Sequence, residues 1–361
     1  MNKIFTIIGV LLFFSCNRHS EPELHISNRT VIVYMLGDNS LNTEITPDIN
    51  ELEQSWSDEY DGNLVAYIDQ KRVMPYVLKI ENDRTSDVVS QKTITYSEQN
   101  SCTIEVMEKV ISDIKKMYPA KSYGLILWSH ASGWLPAANA STRAFGEDDG
   151  ENMEIYELAK LSGKYDFIIF DACYMAGIET VFELKDNTDY IVASEAEILS
   201  YGFPYNKIIS HLFKPDADLV SAAEQFMSFY TSSANEEMQS AVISVIDTRN
   251  LDALAAVSKT IIRKYKNNIA GLDLSNIQNY DYDEHIFFDF KDFMDNLAAN
   301  DPDLQLFHNT LSASVVFENH TPSFMNKYNI NRACGLNCYI LGQYPGLDYA
   351  YQKLSWYKTV Y

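Results

Sequence analysis

The segment Tyr165–Gly177, YDFIIFDACYMAG, is an apolar and aromatic run that ends in an aspartate, an alanine and a cysteine. A continuous run of this length predicts a strand that is buried on both faces of a sheet. Cys173, at the end of this strand, has two interpretations. A free cysteine after a buried strand is usually a small hydrophobic core residue, but a cysteine at a strand end can also be a nucleophile.

Similar apolar runs occur along the whole chain, with helical patterns between them. The clearest are RTVIVYMLG (29–37), YGLILWSH (123–130), YIVASEAE (190–197) and SAVISVID (240–247). Apolar strands that alternate with helices predict an α/β fold with a mostly parallel central sheet and helices on both faces. Since no linker rich in Pro, Gly or Ser divides the chain, residues 29–361 are expected to form one domain.

The charge and the cysteines exclude several classes of protein. A net charge of −22 disfavours binding to nucleic acid or to anionic lipid. An acidic surface kept for solubility would explain this charge, and so would a preference for cationic substrates. No CxxC pair or Cys/His cluster has zinc spacing, so no metal site is predicted. Cys334 and Cys338 are expected on one strand, about 13 Å apart, which is too far for a disulfide.

The N-terminus predicts export. Residues 1–15, MNKIFTIIGVLLFFS, have one lysine and then an apolar run that is too short to span a membrane. Cys16 at the break resembles a bacterial lipobox, so we expect a lipid on Cys16 and a polar tether over residues 16–28. The protein would then be anchored in the bacterial cell envelope by this lipid only. A cleaved signal peptide with a chance cysteine is the alternative.

A histidine ends a second apolar run, as Cys173 ends the first. In a mostly parallel sheet, functional groups gather where several strands end at the carboxyl edge. If the two strands are neighbours, about 4.8 Å apart, the side chains of His130 and Cys173 could meet there. A cysteine protease needs such a pair together with N–H donors for the tetrahedral oxyanion. The residues after Cys173 predict a helix start, which would lower the pKa of its thiol.

The segments ILWSHASGW and IIFDACYMAGIETVFEL together resemble the clostripain family of cysteine peptidases. Further segments that resemble the family are VYMLGDNSL, DYIVASEAEILSYGFPY, SAVISVIDTRNLDAL and CGLNCYI. The resemblance covers roughly residues 29 to 357. It implies a caspase-like α/β sandwich and a monomeric cysteine endopeptidase that forms a thioacyl-enzyme and requires no cofactor.

The resemblance also implies roles for individual residues. Cys173 would be the nucleophile and His130 the base, with the backbone N–H groups of Cys173 and Ala131 as the oxyanion hole. Asp171 would lie at the floor of the S1 pocket, where an anion selects arginine or lysine at P1. As an alternative, Asp171 is a strand-end residue that caps the following helix. Ser194, Glu195 and Tyr201 would complete the substrate pocket.

The sequence departs from the family pattern near the expected site. Ala131 stands where the family usually has glycine, and a requirement for positive φ there would cost about 1 kcal/mol or more. Tyr201 stands where some members have a second acid, so basic specificity would rest on Asp171, aided by Glu195 or Glu197. Relatives can be activated by a cut between the two dyad strands, and Arg143 is the candidate for self-cleavage.

The remaining alternatives concern calcium and other classes of function. The acidic stretch GEDDGE (146–151) could bind calcium, although a solvated loop explains it without an ion. Ala131 and Tyr201 also suit a catalytically impaired family member that acts as an envelope binding protein. A glycan-active lipoprotein would fit the many carboxylates and aromatics, but no carboxylate pair stands out. The absence of a G-x-S-x-G motif disfavours a serine hydrolase.

Overall fold

The computed structural model describes residues 25–136 and 144–361. The strands are β1 (Ser27–Gly37), β2 (Gly62–Gln70), β3 (Val73–Lys79), β4 (Gln91–Thr95), β5 (Ala120–Trp128), β6 (Phe145–Asp148), β7 (Glu151–Met153), β8 (Tyr165–Asp171), β9 (Thr188–Ala193), β10 (Val242–Asp247), β11 (Phe288–Asp289), β12 (Val315–His320), β13 (Ser323–Phe324), β14 (Tyr328–Asn329) and β15 (Asn337–Cys338). The α-helices are α1 (Ile45–Ser55), α2 (Ile104–Met117), α3 (Ile155–Leu158), α4 (Ile178–Glu183), α5 (Tyr205–Leu212), α6 (Leu219–Thr231), α7 (Leu251–Tyr265), α8 (Phe290–Leu297), α9 (Asp303–Ser314), α10 (Pro345–Tyr351) and α11 (Ser355–Val360). The 3-10 helices are Glu236–Met238, Thr248–Asn250, Lys266–Gly271 and Leu274–Asn276.

Nine strands form one central sheet in the order β12-β10-β9-β8-β5-β1-β2-β3-β4. The predicted α/β class is confirmed, and β9, β8, β5, β1 and β2 are parallel neighbours. The flanking pairs are antiparallel, so the sheet is more mixed than the sequence suggested. β2 and β3 are antiparallel because only two residues connect them, and so short a connection permits a hairpin but no parallel crossover.

Apolar layers cover both faces of the central sheet. In β1, Ile32 and Tyr34 pack into the layer that contains α2, α4 and α7, whereas Val31 and Val33 pack into the layer of α1, α5 and α6. Successive side chains of a strand point to opposite faces, so a strand that is buried on both faces must be apolar at every position. This explains the continuous runs in the sequence and leaves the carboxyl edge of the strands for polar groups.

The C-terminal part contains less strand than the sequence predicted. The segment CGLNCYILG contributes only β15, which pairs with β11 outside the central sheet. Gly335, with a φ of +85°, lies between Cys334 and Cys338, so these two residues do not share one strand. The cysteines of the described residues are all free thiols.

Several predictions for the N-terminus and the dyad loop fall on residues outside the described ranges. The signal peptide, the lipidation at Cys16 and the self-cleavage at Arg143 are among them. Of the expected tether, Ser27 and Asn28 already belong to β1. Within residues 25–136 and 144–361, no helix has the length and apolar character needed to cross a membrane.

Candidate active site

The register between β5 and β8 brings the predicted pair to one edge of the sheet. Trp128 lies opposite Asp171 in this parallel pairing, and His130 and Cys173 each follow two residues later. Neighbouring strands are about 4.8 Å apart, so the two chains leave the sheet side by side. His130 and Cys173 both line the same two cavities, of about 290 Å³ and about 370 Å³. The structure therefore places them around a shared cleft.

The thiol of Cys173 is half-buried at the base of this cleft. Its Sγ accepts a hydrogen bond from Ile198 N at 3.3 Å. Burial raises the pKa of the Cys173 thiol to about 12, while the Ile198 N–H opposes this shift. The helix start expected directly after Cys173 is wrong, because α4 begins only at Ile178. Without a helix N-terminus beside it, this thiol would need a base to take its proton before it could act as a nucleophile.

A tight turn follows Cys173. Tyr174 has a φ of +59°, which is uncommon for a bulky residue. Its N–H donates to Ala196 O at 2.8 Å, and Ala176 N donates to Ser194 O at 2.9 Å. These bonds attach the turn to the chain after β9. Ser194 is fully buried, does not line either cavity and supports the turn, so its predicted role in binding substrate is corrected.

The backbone geometry allows an oxyanion hole at the predicted positions. Among the described residues, the N–H groups of Ala131 and Cys173 have no hydrogen-bond acceptor. Ala131 is absent from the positive-φ residues of the described chain, so alanine there causes no strain. The glycine requirement lies instead at Gly133, where φ is +61° and a Cβ would come within 2.7 Å of Tyr174 O. Ala131 is therefore not required to adopt a positive φ.

Asp171 forms the buried acidic wall of the smaller cavity, which we call the Asp171 pocket. Its Oδ2 accepts hydrogen bonds from Phe203 N at 3.0 Å and from the Tyr205 hydroxyl at 2.8 Å. Both donors lie on the loop and helix after β9, so the helix-capping alternative is wrong. Gly202 has a φ of +58°, and a Cβ there would lie 2.6 Å from Asp171 Oδ2. Only glycine lets this loop approach the carboxylate so closely.

Burial changes the pKa values, and therefore the charges, of the acidic side chains in and behind this pocket. Burial raises the pKa of Asp171 to about 6, and its two hydrogen bonds oppose the shift. Behind it lies Asp48 of α1, which accepts a hydrogen bond from Trp128 Nε1 at 2.7 Å. Burial and the nearby Asp171 raise the pKa of Asp48 to about 9. Near neutral pH the pair therefore carries one negative charge, on Asp171. The sequence did not reveal Asp48, which looks like an ordinary acid in the first turn of a helix.

Two other predicted pocket residues lie elsewhere. Glu195 is fully buried, accepts hydrogen bonds from Gly335 N at 2.9 Å and from the Tyr280 hydroxyl at 3.2 Å, and lines neither cavity. Tyr201 is 54% exposed and lines neither cavity. Glu197, by contrast, lines both cavities. Glu195 is thus corrected as a substrate-binding residue, the role of Tyr201 stays a prediction, and Glu197 remains at the cleft.

The described residues offer one group with a possible metal-ligand arrangement. It consists of Glu195, Asp289 and Cys334, whose ligand atoms lie within 4.8 Å of one another. Backbone N–H groups already donate to all three side chains, which favours a structural network.

The acidic stretch 146–151 forms the β6–β7 hairpin, where Asp148 accepts from Ser101 N. No three-ligand group for calcium occurs in the described part of this stretch.

Comparison with known proteins gives consistent matches. A model of the clostripain family matches residues 33–349. Clostripain of Hathewaya histolytica is 26% identical over an alignment of 220 residues, and the match covers 51% of this chain and 42% of clostripain. The matched part thus spans less than half of that relative.

Solved structures match over almost the whole chain. An inactive zymogen protease from Parabacteroides distasonis is 31% identical, with a TM-score of 0.83, and the match covers 93% of this chain and 99% of that one. A secreted cysteine protease from Bacteroides thetaiotaomicron, in complex with an irreversible peptide inhibitor, is 31% identical with a TM-score of 0.80. That match covers 92% of this chain and 98% of the other. The resemblance therefore extends well beyond the segments around His130 and Cys173.

Proposed function

The chain belongs to the clostripain family of cysteine proteases, and on this premise we propose that it cleaves peptide bonds after arginine or lysine. One observation carries the proposal. Cys173 and His130 leave neighbouring parallel strands side by side, and the pocket that they share is walled by the buried carboxylate of Asp171. A nucleophile, a base and an anionic pocket thus meet at one edge of the sheet.

The catalytic cycle assigned to these groups follows from their chemistry. His130 takes the proton of the Cys173 thiol while Sγ attacks the carbonyl carbon of the substrate. The N–H groups of Cys173 and Ala131 donate to the oxyanion of the tetrahedral intermediate. His130 then gives the proton to the leaving amine, and a thioacyl-enzyme remains. Water, deprotonated by His130, hydrolyses the thioester and restores the thiol.

Selection of the P1 residue is assigned to Asp171. At neutral pH this carboxylate is ionised, because its raised pKa of about 6 still lies below the ambient pH. A buried anion that is already held by two donors has little freedom to move, so it is preorganised for a cation. A guanidinium or ammonium group compensates the buried charge, whereas a neutral side chain leaves it unpaired.

A positional peptide library tests this function on the wild-type protein. We expect kcat/KM for arginine and lysine at P1 to exceed that for glutamine and methionine by about 10²-fold or more. Equal cleavage after all P1 residues would contradict the specificity alone. A failure to cleave any member, together with no labelling by an arginyl acyloxymethyl ketone, would contradict the catalytic proposal and favour the binding protein.

Export and processing are proposed from the sequence pattern. The pattern of residues 1–16 supports a lipid anchor on Cys16 in the cell envelope. A basic residue between the two dyad strands, Arg143, supports activation by self-cleavage after this residue. Intact-mass measurement of the exported, active protein tests both. We expect a lipid-modified N-terminal cysteine and a chain break after Arg143. An active protein with an unmodified N-terminus would contradict the anchor, and an active uncut chain would contradict a requirement for the cut.

A further inference from the structure

The second ring nitrogen of His130 has a partner that the sequence did not reveal. Ser40 Oγ lies 2.7 Å from His130 Nε2. Ser40 is on the loop that connects β1 to α1, and β1 pairs with β5, the strand that leads to His130. The contact thus joins the ends of two neighbouring strands at the carboxyl edge of the sheet.

The loop around Ser40 is held in place by its neighbour Asn39. The buried Asn39 side chain donates from Nδ2 to Leu36 O at 2.8 Å and to Glu147 O at 2.9 Å, and its Oδ1 accepts from Leu41 N at 2.8 Å. Ser40 is exposed, but the residues before and after it are fixed by these bonds. Its hydroxyl therefore has a defined position, which long exposed side chains rarely have.

We propose that Ser40 is a positioning residue for His130, so that the site works as a Cys173–His130–Ser40 relay of hydrogen bonds. This proposal rests on the proposed function. With Nε2 bonded to Ser40, the nitrogen that exchanges a proton with the thiol is Nδ1. A serine hydroxyl can donate or accept, and the proposal assigns to Ser40 Oγ the role of acceptor from Nε2–H, which makes Nδ1 the basic nitrogen of the ring.

The proton balance defines what Ser40 contributes. When Nδ1 takes the thiol proton, the ring becomes an imidazolium that donates from both nitrogens. Ser40 Oγ then accepts the Nε2–H bond and keeps its own proton. A hydrogen bond to a charged group is stronger than one to a neutral group, so the contact stabilises the protonated histidine. Loss of this acceptor should lower the pKa of His130 and slow the chemical step.

The test compares Ser40→Ala with Ser40→Thr, which keeps a hydroxyl. Thr43→Ala is the matched control, since it removes an exposed hydroxyl three residues away that bonds Glu44 Oε1. We expect Ser40→Ala to lower kcat about 10-fold with KM unchanged, and the limb of the pH profile that reports His130 to move to lower pH. Ser40→Thr should restore most of kcat, and Thr43→Ala should behave as the wild type.

An independent readout separates this proposal from the proposed function. In the Cys173→Ala protein, NMR titration of the His130 imidazole should show the Nε2–H tautomer and a pKa that falls when Ser40 is also replaced by alanine. The same tautomer and pKa with and without Ser40, or a Ser40→Thr enzyme as slow as Ser40→Ala, would overturn the role of Ser40. A wild type that cleaves nothing, with the NMR result as expected, would overturn only the proposed function.

Discussion

Replacement of Cys173 by alanine should lower kcat/KM on an arginyl peptide by at least about 10⁴-fold, because the nucleophile of a dyad has no substitute in the site. The folded protein should survive this change. Cys173 is half-buried, and the hydrogen bonds that its Sγ makes within the described part of the chain go to the Ile198 backbone, so we expect a loss of about 1 kcal/mol or less in the free energy of unfolding. Kinetics and thermal denaturation of the purified variant would measure the two effects separately.

A matched control distinguishes the nucleophile from the other thiols. Cys102 is also a free cysteine and is 4% exposed, so Cys102→Ala makes the same chemical change away from the cleft. An arginyl acyloxymethyl ketone should label the wild type and Cys102→Ala but not Cys173→Ala. Full activity in Cys173→Ala would contradict the protease mechanism, and a glycan-directed activity would then be the alternative to examine.

The sequence predicted the central strands, and the sheet edge at which His130 and Cys173 lie, for a simple reason. Strands covered on both faces must be apolar throughout, and each run ends where the chain leaves the sheet. Since β5 and β8 are parallel neighbours in register, the residues that follow their ends leave the sheet at the same edge. The short outer strands β4 and β12 lack a continuous apolar run, because much of their surface is exposed, and they gave no comparable signal.

The local geometry of the site depends on contacts that are distant in sequence, and the sequence therefore did not predict it. The residues after Cys173 have a helical pattern, but hydrogen bonds to residues 194–196 hold them as a turn and delay α4 to Ile178. The same turn region directs Glu195 away from the cleft. Ser40 lies beside His130 on a loop that Asn39 helps to hold through its bond to Glu147 O, on a hairpin more than a hundred residues later.

Replacement of Asp171 by asparagine is expected to remove the preference for basic P1 residues while cleavage continues. Asparagine has the same shape, and its Oδ1 can accept the bonds from Phe203 N and Tyr205 Oη, so the pocket should keep its form. Loss of one partner of a desolvated charge pair costs about 2–5 kcal/mol, so kcat/KM for arginine should fall about 10²-fold or more, with little change for a neutral P1 residue. Glu197→Gln is the control in the same cleft. Because the charge of Glu197 is exposed, its loss should change kcat/KM for arginine by less than about 5-fold.

The pH dependence of this preference provides the sharpest check. Burial raises the pKa of Asp171 to about 6, so its protonation around and below that pH should weaken cleavage after arginine. The ratio of kcat/KM for arginine to that for glutamine should rise with pH, reach half of its plateau near the pKa and level off about one pH unit above it. Both substrates use the same catalytic groups, so any effect of pH on the chemical steps cancels from the ratio. In Asp171→Asn the ratio should be flat. The raised pKa also means that Asp171 favours the folded state at low pH and loses this contribution as pH rises through about 6, so the asparagine variant should be no less stable at pH 8. A wild-type ratio that does not change between pH 5 and 8, or a strong arginine preference in Asp171→Asn, would assign P1 selection to another group.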